Sequence, residues 1–141
     1  MSAKILVVDD DPDILEAIGI VLESQGYEVI TARDGIEGLE KLKEEKPDMM
    51  ILDLLMPRMD GFEVCKELKD PRRAKYAHIP IIILSSVKET ASRRRYELET
   101  GVQLDVDDYA EKPIDHAVLL ERVQKILKKI ESGEGFAQLA K

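Results

Sequence analysis

Short, wholly apolar runs alternate along this chain with stretches whose apolar residues recur at helical spacing. Lys4 to Val8 reads Lys-Ile-Leu-Val-Val and stops abruptly at Asp9, Asp10 and Asp11. A run that short, with no polar alternation, predicts a strand covered on both faces, as in a parallel sheet. Pro12 suits the first turn of a helix and Asp11 its N-cap. Ile14, Ile18, Val21 and Leu22 form that helix's apolar stripe, and Gly26 stops it. Tyr27 to Ala32 reads as a second strand. Asp34 and Gly35 read as a turn, and Ile36, Leu39 and Leu42 mark a second helix that runs up to Pro47. Met49 to Leu52 is another buried run, closing on Asp53. After a loop from Leu54 to Gly61, a third helix carries Phe62, Val64, Cys65 and Leu68.

Asp70 to His78 is a polar connection. Pro80 then opens the most apolar strand, Ile81 to Leu84, which ends at Ser85 and Ser86. A fourth helix, about Glu89 to Thr100, has a weak apolar face of Ala91 and Leu98, with Arg94 and Arg95 between them. Gly101 ends it. Val106 to Ala110 predicts a fifth strand. Asp115 caps a last helix whose stripe is Leu119, Val123, Ile126, Leu127 and Ile130. Residues 132–141 read as a flexible tail. Five successive β–α units of this length predict an α/β fold: a five-stranded parallel sheet, doubly wound, with helices on both faces. One domain, residues 1–131, accounts for the rest of the chain.

Composition narrows the class. The 141 residues are 44% hydrophobic and 35% charged, which describes an ordinary globule. Lys and Arg number 21 against 29 Asp and Glu, a net charge of -8, which repels nucleic acid and anionic membrane wherever no basic patch intervenes. Cys65 is the sole cysteine, so no intrachain disulfide can form. With two His and no CxxC pair, a structural zinc site is not expected. No apolar run approaches the ~20 residues of a membrane span, and the N-terminus does not read as a signal peptide. The expected setting is cytoplasmic.

Sites in open α/β sheets form outside the carboxyl ends of the strands. At those ends stand Asp9 and Asp10 (strand one), Asp53 (strand three), Ser85 (strand four), and Lys112 before Pro113 (strand five). Two carboxylates ~5 Å apart repel by about 3 kcal/mol at an effective dielectric of ~20. A hard divalent cation relieves that repulsion. Mg²⁺ takes one or two carboxylates and keeps waters, which leaves room for phosphate oxygens. Asp53, alone at its strand end, is a candidate carboxylate nucleophile that would form an aspartyl phosphate. Lys112 supplies a point charge for a phosphoryl group, and Ser85 a hydroxyl for one of its oxygens.

These residues resemble the receiver domain of two-component response regulators, the family that includes the single-domain chemotaxis regulator. The matching segments are Ile5-Leu-Val-Val-Asp9-Asp10; Ile51-Leu-Asp53-Leu-Leu-Met-Pro57 with Met59-Asp60-Gly61; Ile81-Ile-Ile-Leu-Ser85-Ser86; and Tyr109-Ala-Glu-Lys112-Pro113. The resemblance spans about residues 3–130. It implies a flavodoxin-like strand order of 2-1-3-4-5. It implies that Asp53 is the phosphoacceptor and that Asp10, Asp53 and the backbone carbonyl of Leu55 are the protein ligands of Mg²⁺. Asp9 would hold a metal-bound water. Ser85 and Lys112 would contact the phosphoryl group, and Tyr109 would be the aromatic switch. A sensor histidine kinase or a histidine phosphotransfer protein is the implied donor. The output would be altered binding of a downstream protein through the face of helix four, strand five and helix five, by a monomer or a phosphorylation-dependent dimer. Such a domain catalyses only its own phosphorylation and dephosphorylation and is not otherwise an enzyme.

Several positions depart from the family's usual pattern. In this family the side chains two residues after the phosphoacceptor and two after the hydroxyl residue tune hydrolysis; here they are Leu55 and Val87, both apolar. Neither can orient an attacking water, so a long-lived phosphoryl state is expected. Gly101 to Tyr109 is about four residues longer than the family's usual connection. The alternation of Val102, Leu104 and Val106 suggests an early strand five or a packed extension, and Asp105, Asp107 and Asp108 a solvated acidic loop rather than a second metal site. Arg93, Arg94 and Arg95 lie ~100° apart on the fourth helix and cannot share a face, which favours a solvated helix. Lys69, Arg72, Arg73, Lys75 and His78 lack interleaved aromatics and read as a surface loop, not a nucleic-acid site.

If the chain is complete, its length leaves no room for an effector domain after residue 130, and a stand-alone switch is expected. The alternative within the class is a receiver cut from a longer regulator or hybrid kinase. A more remote alternative is a phosphohydrolase with an aspartate nucleophile, which needs a general acid where Leu55 stands. A flavodoxin-like cofactor binder would want a phosphate-cradling loop where Asp9 to Asp13 stand, with flanking aromatics, and the chain has no Trp.

Overall fold

A computed structural model of the chain describes residues 3–56, 58–68, 70–72, 78–100 and 106–131, without the side chains of residues 87–90, 92, 93 and 131. The elements are β1 Lys4–Val8, α1 Pro12–Glu23, β2 Glu28–Ala32, α2 Gly35–Glu45, β3 Met49–Asp53, α3 Gly61–Leu68, β4 Ile81–Ser85, α4 Val87–Thr100, β5 Asp108–Glu111 and α5 His116–Glu131. The strands form one sheet in the order β2-β1-β3-β4-β5, and every pairing is parallel. This is the doubly wound parallel fold expected from the alternation of apolar runs and amphipathic stretches, in the flavodoxin-like strand order that the resemblance implies.

The apolar runs are apolar throughout because both sheet faces are covered. Leu6, Val8, Met50, Leu52 and Ile83 pack with Leu39, Leu42, Phe62, Val64, Cys65 and Leu68 of α2 and α3. Ile5, Val7, Met49, Ile51, Ile82 and Leu84 pack with Leu15, Ile18, Leu22, Leu119, Val123 and Leu127 of α1 and α5. The caps hold as read: Asp11 accepts the Asp13 N–H, and Asp115 accepts those of Ala117 and Val118. Asp34 does more than make a turn. It is the N-cap of α2, accepting the Glu37 N–H at 2.9 Å.

The fifth strand and the fourth helix have other bounds than expected. The fifth strand begins at Asp108, not Val106, and ends at Glu111. Asp107 exchanges backbone and side-chain bonds with Ile81, its N–H donating to the Ile81 carbonyl at 2.9 Å and its carboxylate accepting the Ile81 N–H at 2.8 Å. The carboxylate thus takes the bond that a ladder carbonyl would accept, and pairing starts one residue later. Val106 still packs on the core, outside the strand. Residues 101–105, and with them Val102, Leu104 and Asp105, lie outside the described residues. The fourth helix starts at Val87 rather than Glu89, leaving Ser86 alone between β4 and α4.

Among the described side chains of α4, the apolar face is as sparse as the sequence predicts. Leu98 is 84% exposed, and Arg94 and Arg95 are exposed too. Tyr96 anchors it by stacking on Phe62 of α3, ring centroids 4.7 Å apart.

Candidate functional site

The sheet register assembles the site. Val8 pairs with Leu52, so the residues that follow them, Asp9 and Asp53, stand side by side at the carboxyl edge. Asp53 pairs with Leu84, and Ser85 with Glu111, so Ser85 and then Lys112 extend the same edge one step further out. The Lys112 N–H donates to the Ser85 carbonyl at 2.8 Å, which fixes the lysine's stem beside β4.

The Lys112 Nζ lies 2.9 Å from Asp53 Oδ1 and 3.2 Å from Asp9 Oδ2. Both carboxylates are buried, Asp9 at 0% and Asp53 at 1% exposure. Asp9 Oδ1 accepts the Asp11 N–H at 2.9 Å. Asp9 Oδ2 is buried, and the Lys112 ammonium meets it as an ion pair. Burial pushes the Asp9 carboxyl above its ordinary range, against the opposing pull of the Asp11 N–H and Lys112. Asp10 is exposed, and one carboxylate oxygen from each of Asp9, Asp10 and Asp53 fits within 4.8 Å of the others. Three carboxylates face one ammonium. That surplus of negative charge, together with an orphaned buried oxygen, fits a hard divalent cation with oxygen ligands.

The loop that follows Asp53 is packed tightly beneath the site. The Gly61 N–H donates to the Leu54 carbonyl at 2.8 Å. A Cβ on Gly61 would come within 2.5 Å of the Asp53 carbonyl oxygen, so a side chain there collides with the backbone of Asp53 itself. Leu55 is exposed at this loop.

Of the residues singled out in the sequence, Asp9, Asp10, Asp53, Ser85 and Lys112 arrive at one sheet edge. Ser85 is buried there. Tyr109 is half-buried against the core face shared with α2 and α3, and its carbonyl accepts a bond from Arg122. The Val87 side chain and Pro57 lie outside the described residues, as do Lys69, Arg73, Lys75 and the Arg93 side chain. Arg72 pairs with its neighbour Asp70 at 2.8 Å, as befits a surface loop. Among the described residues, Asp107 and Asp108 join no metal-ligand cluster; Asp107 bonds the Ile81 N–H and Asp108 pairs with Arg122. Two features escaped the sequence reading. The Asp34-x-x-Glu37 spacing of a helix start was a legible signal of a cap. The ion pair of Asp34 with Arg58, 24 positions apart, carried no local signal.

The family model for the response regulator receiver domain matches residues 5–124. The chain belongs to that family, a class of two-component signalling domains. It is 40% identical over 131 residues to the alkaline phosphatase synthesis transcriptional regulatory protein PhoP of Bacillus subtilis, covering 93% of this chain and 51% of that protein. It is 38% identical over 142 residues to the response regulator MprA of Mycobacterium ulcerans, covering 99% of this chain and 57% of that one. The chain thus spans about half the length of these relatives. Among solved structures, the chemotaxis response regulator CheY4 of Vibrio cholerae superposes with a TM-score of 0.75 at 30% identity, over 89% of this chain and 99% of that one. The signal receiver domain of a signal transduction histidine kinase from Syntrophus aciditrophicus gives a TM-score of 0.76 at 31% identity, over 92% of each chain. No helix among the described residues is long and apolar enough to cross a membrane.

Proposed function

We propose that this chain is a phosphorylation switch in which Asp53 accepts a phosphoryl group. The observation that carries this reading is the Lys112 ammonium lodged between the buried carboxylates of Asp53 and Asp9, with Asp9 Oδ2 left unbonded. A sensor histidine kinase or histidine phosphotransfer protein is the donor. An Asp53 oxygen attacks the phosphorus of a phosphohistidine; the O–P bond forms as the P–N bond breaks, and the imidazole leaves with a proton from solvent. Lys112 neutralises the oxygens of the transferred group, and the Ser85 hydroxyl bonds one of them. Asp10, Asp53 and the Leu55 carbonyl would hold Mg²⁺, and Asp9 a water on it. When bound, the ion offsets the repulsion between the carboxylates and the incoming phosphate.

The output is altered binding. Attraction of Ser85 toward the phosphoryl group leaves room for Tyr109 to turn inward, which reshapes the α4–β5–α5 face for a downstream protein or a second copy. α4 suits this role because its described side chains are largely exposed, Leu98 at 84%. Domain limits of 1–131, with a tail at 132–141, and a cytoplasmic setting belong to the same reading. Nucleic acid and membrane are not partners of this segment, whose net charge is -8. A second reading, a receiver within a longer regulator, is favoured by relatives about twice as long.

The test is intact-protein mass after incubation with acetyl phosphate, with and without Mg²⁺, beside Asp53→Asn. The expected result is a Mg²⁺-dependent gain of one phosphoryl group that the variant lacks. No gain in the wild type while Mg²⁺ still binds would overturn phosphoryl acceptance from small donors and leave a binding module.

A further inference from the structure

The loop after Asp53 is tied to the start of α2 by two contacts from neighbouring residues. The Gly35 N–H donates to the Met59 carbonyl at 2.9 Å. The Arg58 guanidinium pairs with Asp34 Oδ2, while Asp34 Oδ1 caps α2 through the Glu37 N–H. Asp34 is 2% exposed, yet Arg58 reaches it with a side chain that is 66% exposed. Arg58 also adopts φ 66, the left-handed region that a long side chain rarely occupies. Such a conformation persists when its surroundings over-determine it. Here those surroundings are Asp34 on one side and the Met59–Gly35 bond on the other. Gly35 permits the approach, since a Cβ there would lie 2.6 Å from the Met59 carbonyl oxygen.

We infer that Asp34 and Arg58 are a positioning pair that holds the loop between Asp53 and Gly61 in the shape that binds the cation, so that the α2 N-terminus is coupled to the phosphoacceptor site. This rests on the reading of Asp53 as part of a Mg²⁺ site. Neither residue touches the ion in that reading. Leu55, whose carbonyl would, lies in the same loop, between the Leu54–Gly61 bond and the Arg58–Asp34 tie.

Charge and position predict opposite signs, which makes the inference decidable. Arg58 carries a positive charge on the loop that follows Asp53. If it acted only through charge, removing it would tighten Mg²⁺ binding. If it positions the loop, removing it weakens binding. The substitution to use is Arg58→Gly, because glycine adopts φ 66 freely and adds no backbone strain. Asp34→Asn is its partner, because the amide oxygen can still cap α2 while the ion pair is lost.

The experiment is calorimetric titration of MgCl₂ into the full chain for the wild type, Arg58→Gly, Arg58→Lys, Asp34→Asn and the double variant, with amide hydrogen exchange of Gly35 in metal-free protein. The expected result is a Kd for Mg²⁺ raised about three- to tenfold in Arg58→Gly and in Asp34→Asn, corresponding to about 0.7–1.4 kcal/mol. The double variant is no worse than the worse single one, as members of one pair require. Arg58→Lys restores part of the affinity, and the Gly35 amide exchanges faster in Arg58→Gly. An unchanged or tighter Kd in Arg58→Gly would overturn the positioning role. A wild-type protein that binds no Mg²⁺ would instead overturn the underlying site reading, while the Gly35 exchange rates would still report on the tie itself.

Discussion

The Lys112 ammonium sits 2.9 Å from the Asp53 carboxylate, and its residue directly follows β5, a strand separated from β3 by α3, β4 and α4. The same ammonium serves Asp9, so one cation compensates two buried acids. Lys112→Ala would leave both without a counter-charge. Breaking a buried ion pair costs about 3 kcal/mol or more. The metal-free melting temperature is expected to fall accordingly, and Mg²⁺ is expected to restore part of it by supplying charge to the same acids. Thermal melts with and without Mg²⁺ check this; an unchanged metal-free melt would show that the lysine is not needed to balance the pair.

Asp10 is the exposed member of the acid cluster. Its charge adds repulsion in metal-free protein and, in the proposed site, a ligand when Mg²⁺ is present. Asp10→Ala should therefore raise the metal-free melting temperature by a few degrees, the equivalent of about 1 kcal/mol at a partly screened site. The Mg²⁺-induced rise in melting temperature should vanish. A Mg²⁺-dependent shift as large as that of the wild type would refute the ligand assignment.

Gly61 lies where a Cβ would meet the Asp53 carbonyl oxygen at 2.5 Å and Leu54 Cα at 2.9 Å. Backbone at the end of a central strand cannot yield as a flexible side chain would. Gly61→Ala is expected to cost about 2–3 kcal/mol of stability and to slow phosphorylation of Asp53 by displacing it. Gly26→Ala is the control, with φ 86 but nothing near its Cβ; it should cost stability and leave the phosphorylation rate unchanged. Urea unfolding and acetyl phosphate labelling of both variants separate the two effects.

The Glu37 N–H, with Arg58 adding to it, holds the Asp34 carboxyl below its ordinary value of 3.8. A depressed acid stabilises the fold when ionised. That contribution is complete above the unfolded value and is lost as pH falls through the folded one. Asp34→Asn should cost about 1–2 kcal/mol at pH 7, and the gap to wild type should close as pH drops below 3.8. Urea midpoints measured at several pH values would show it. A gap that stays constant into acid would mean that the charge contributes nothing.

Leu55 is exposed and apolar, and it stands two residues beyond Asp53. With no polar group there to orient water, the phosphoryl state should last minutes or longer without a phosphatase. Leu55→Asn should shorten it several-fold. Decay of the phosphorylated mass over time measures both, and a wild-type lifetime of seconds would remove this role for Leu55.

Much of this protein was legible in one dimension. Apolar runs of strand length with no polar alternation require cover on both faces, so Ile5 to Val8, Met49 to Leu52 and Ile81 to Leu84 specify buried parallel strands by themselves. Acids or a hydroxyl where those runs stop put Asp9, Asp53 and Ser85 at one edge, because parallel strands all end on the same side. Local hydrogen bonding likewise determined the caps Asp11 and Asp115. What required the tertiary structure were relations between distant positions. That Lys112 rather than another lysine reaches Asp53 depends on the register of β3, β4 and β5, set by packing across 59 residues of chain. The start of β5 at Asp108 depends on the Asp107 carboxylate bonding Ile81 on a neighbouring strand. The tie of Arg58 to Asp34 joins two loops that meet only once α2 and α3 lie against the same sheet face. Periodicity encodes which surface of an element is buried; which elements then meet is decided by the packing of those surfaces in three dimensions.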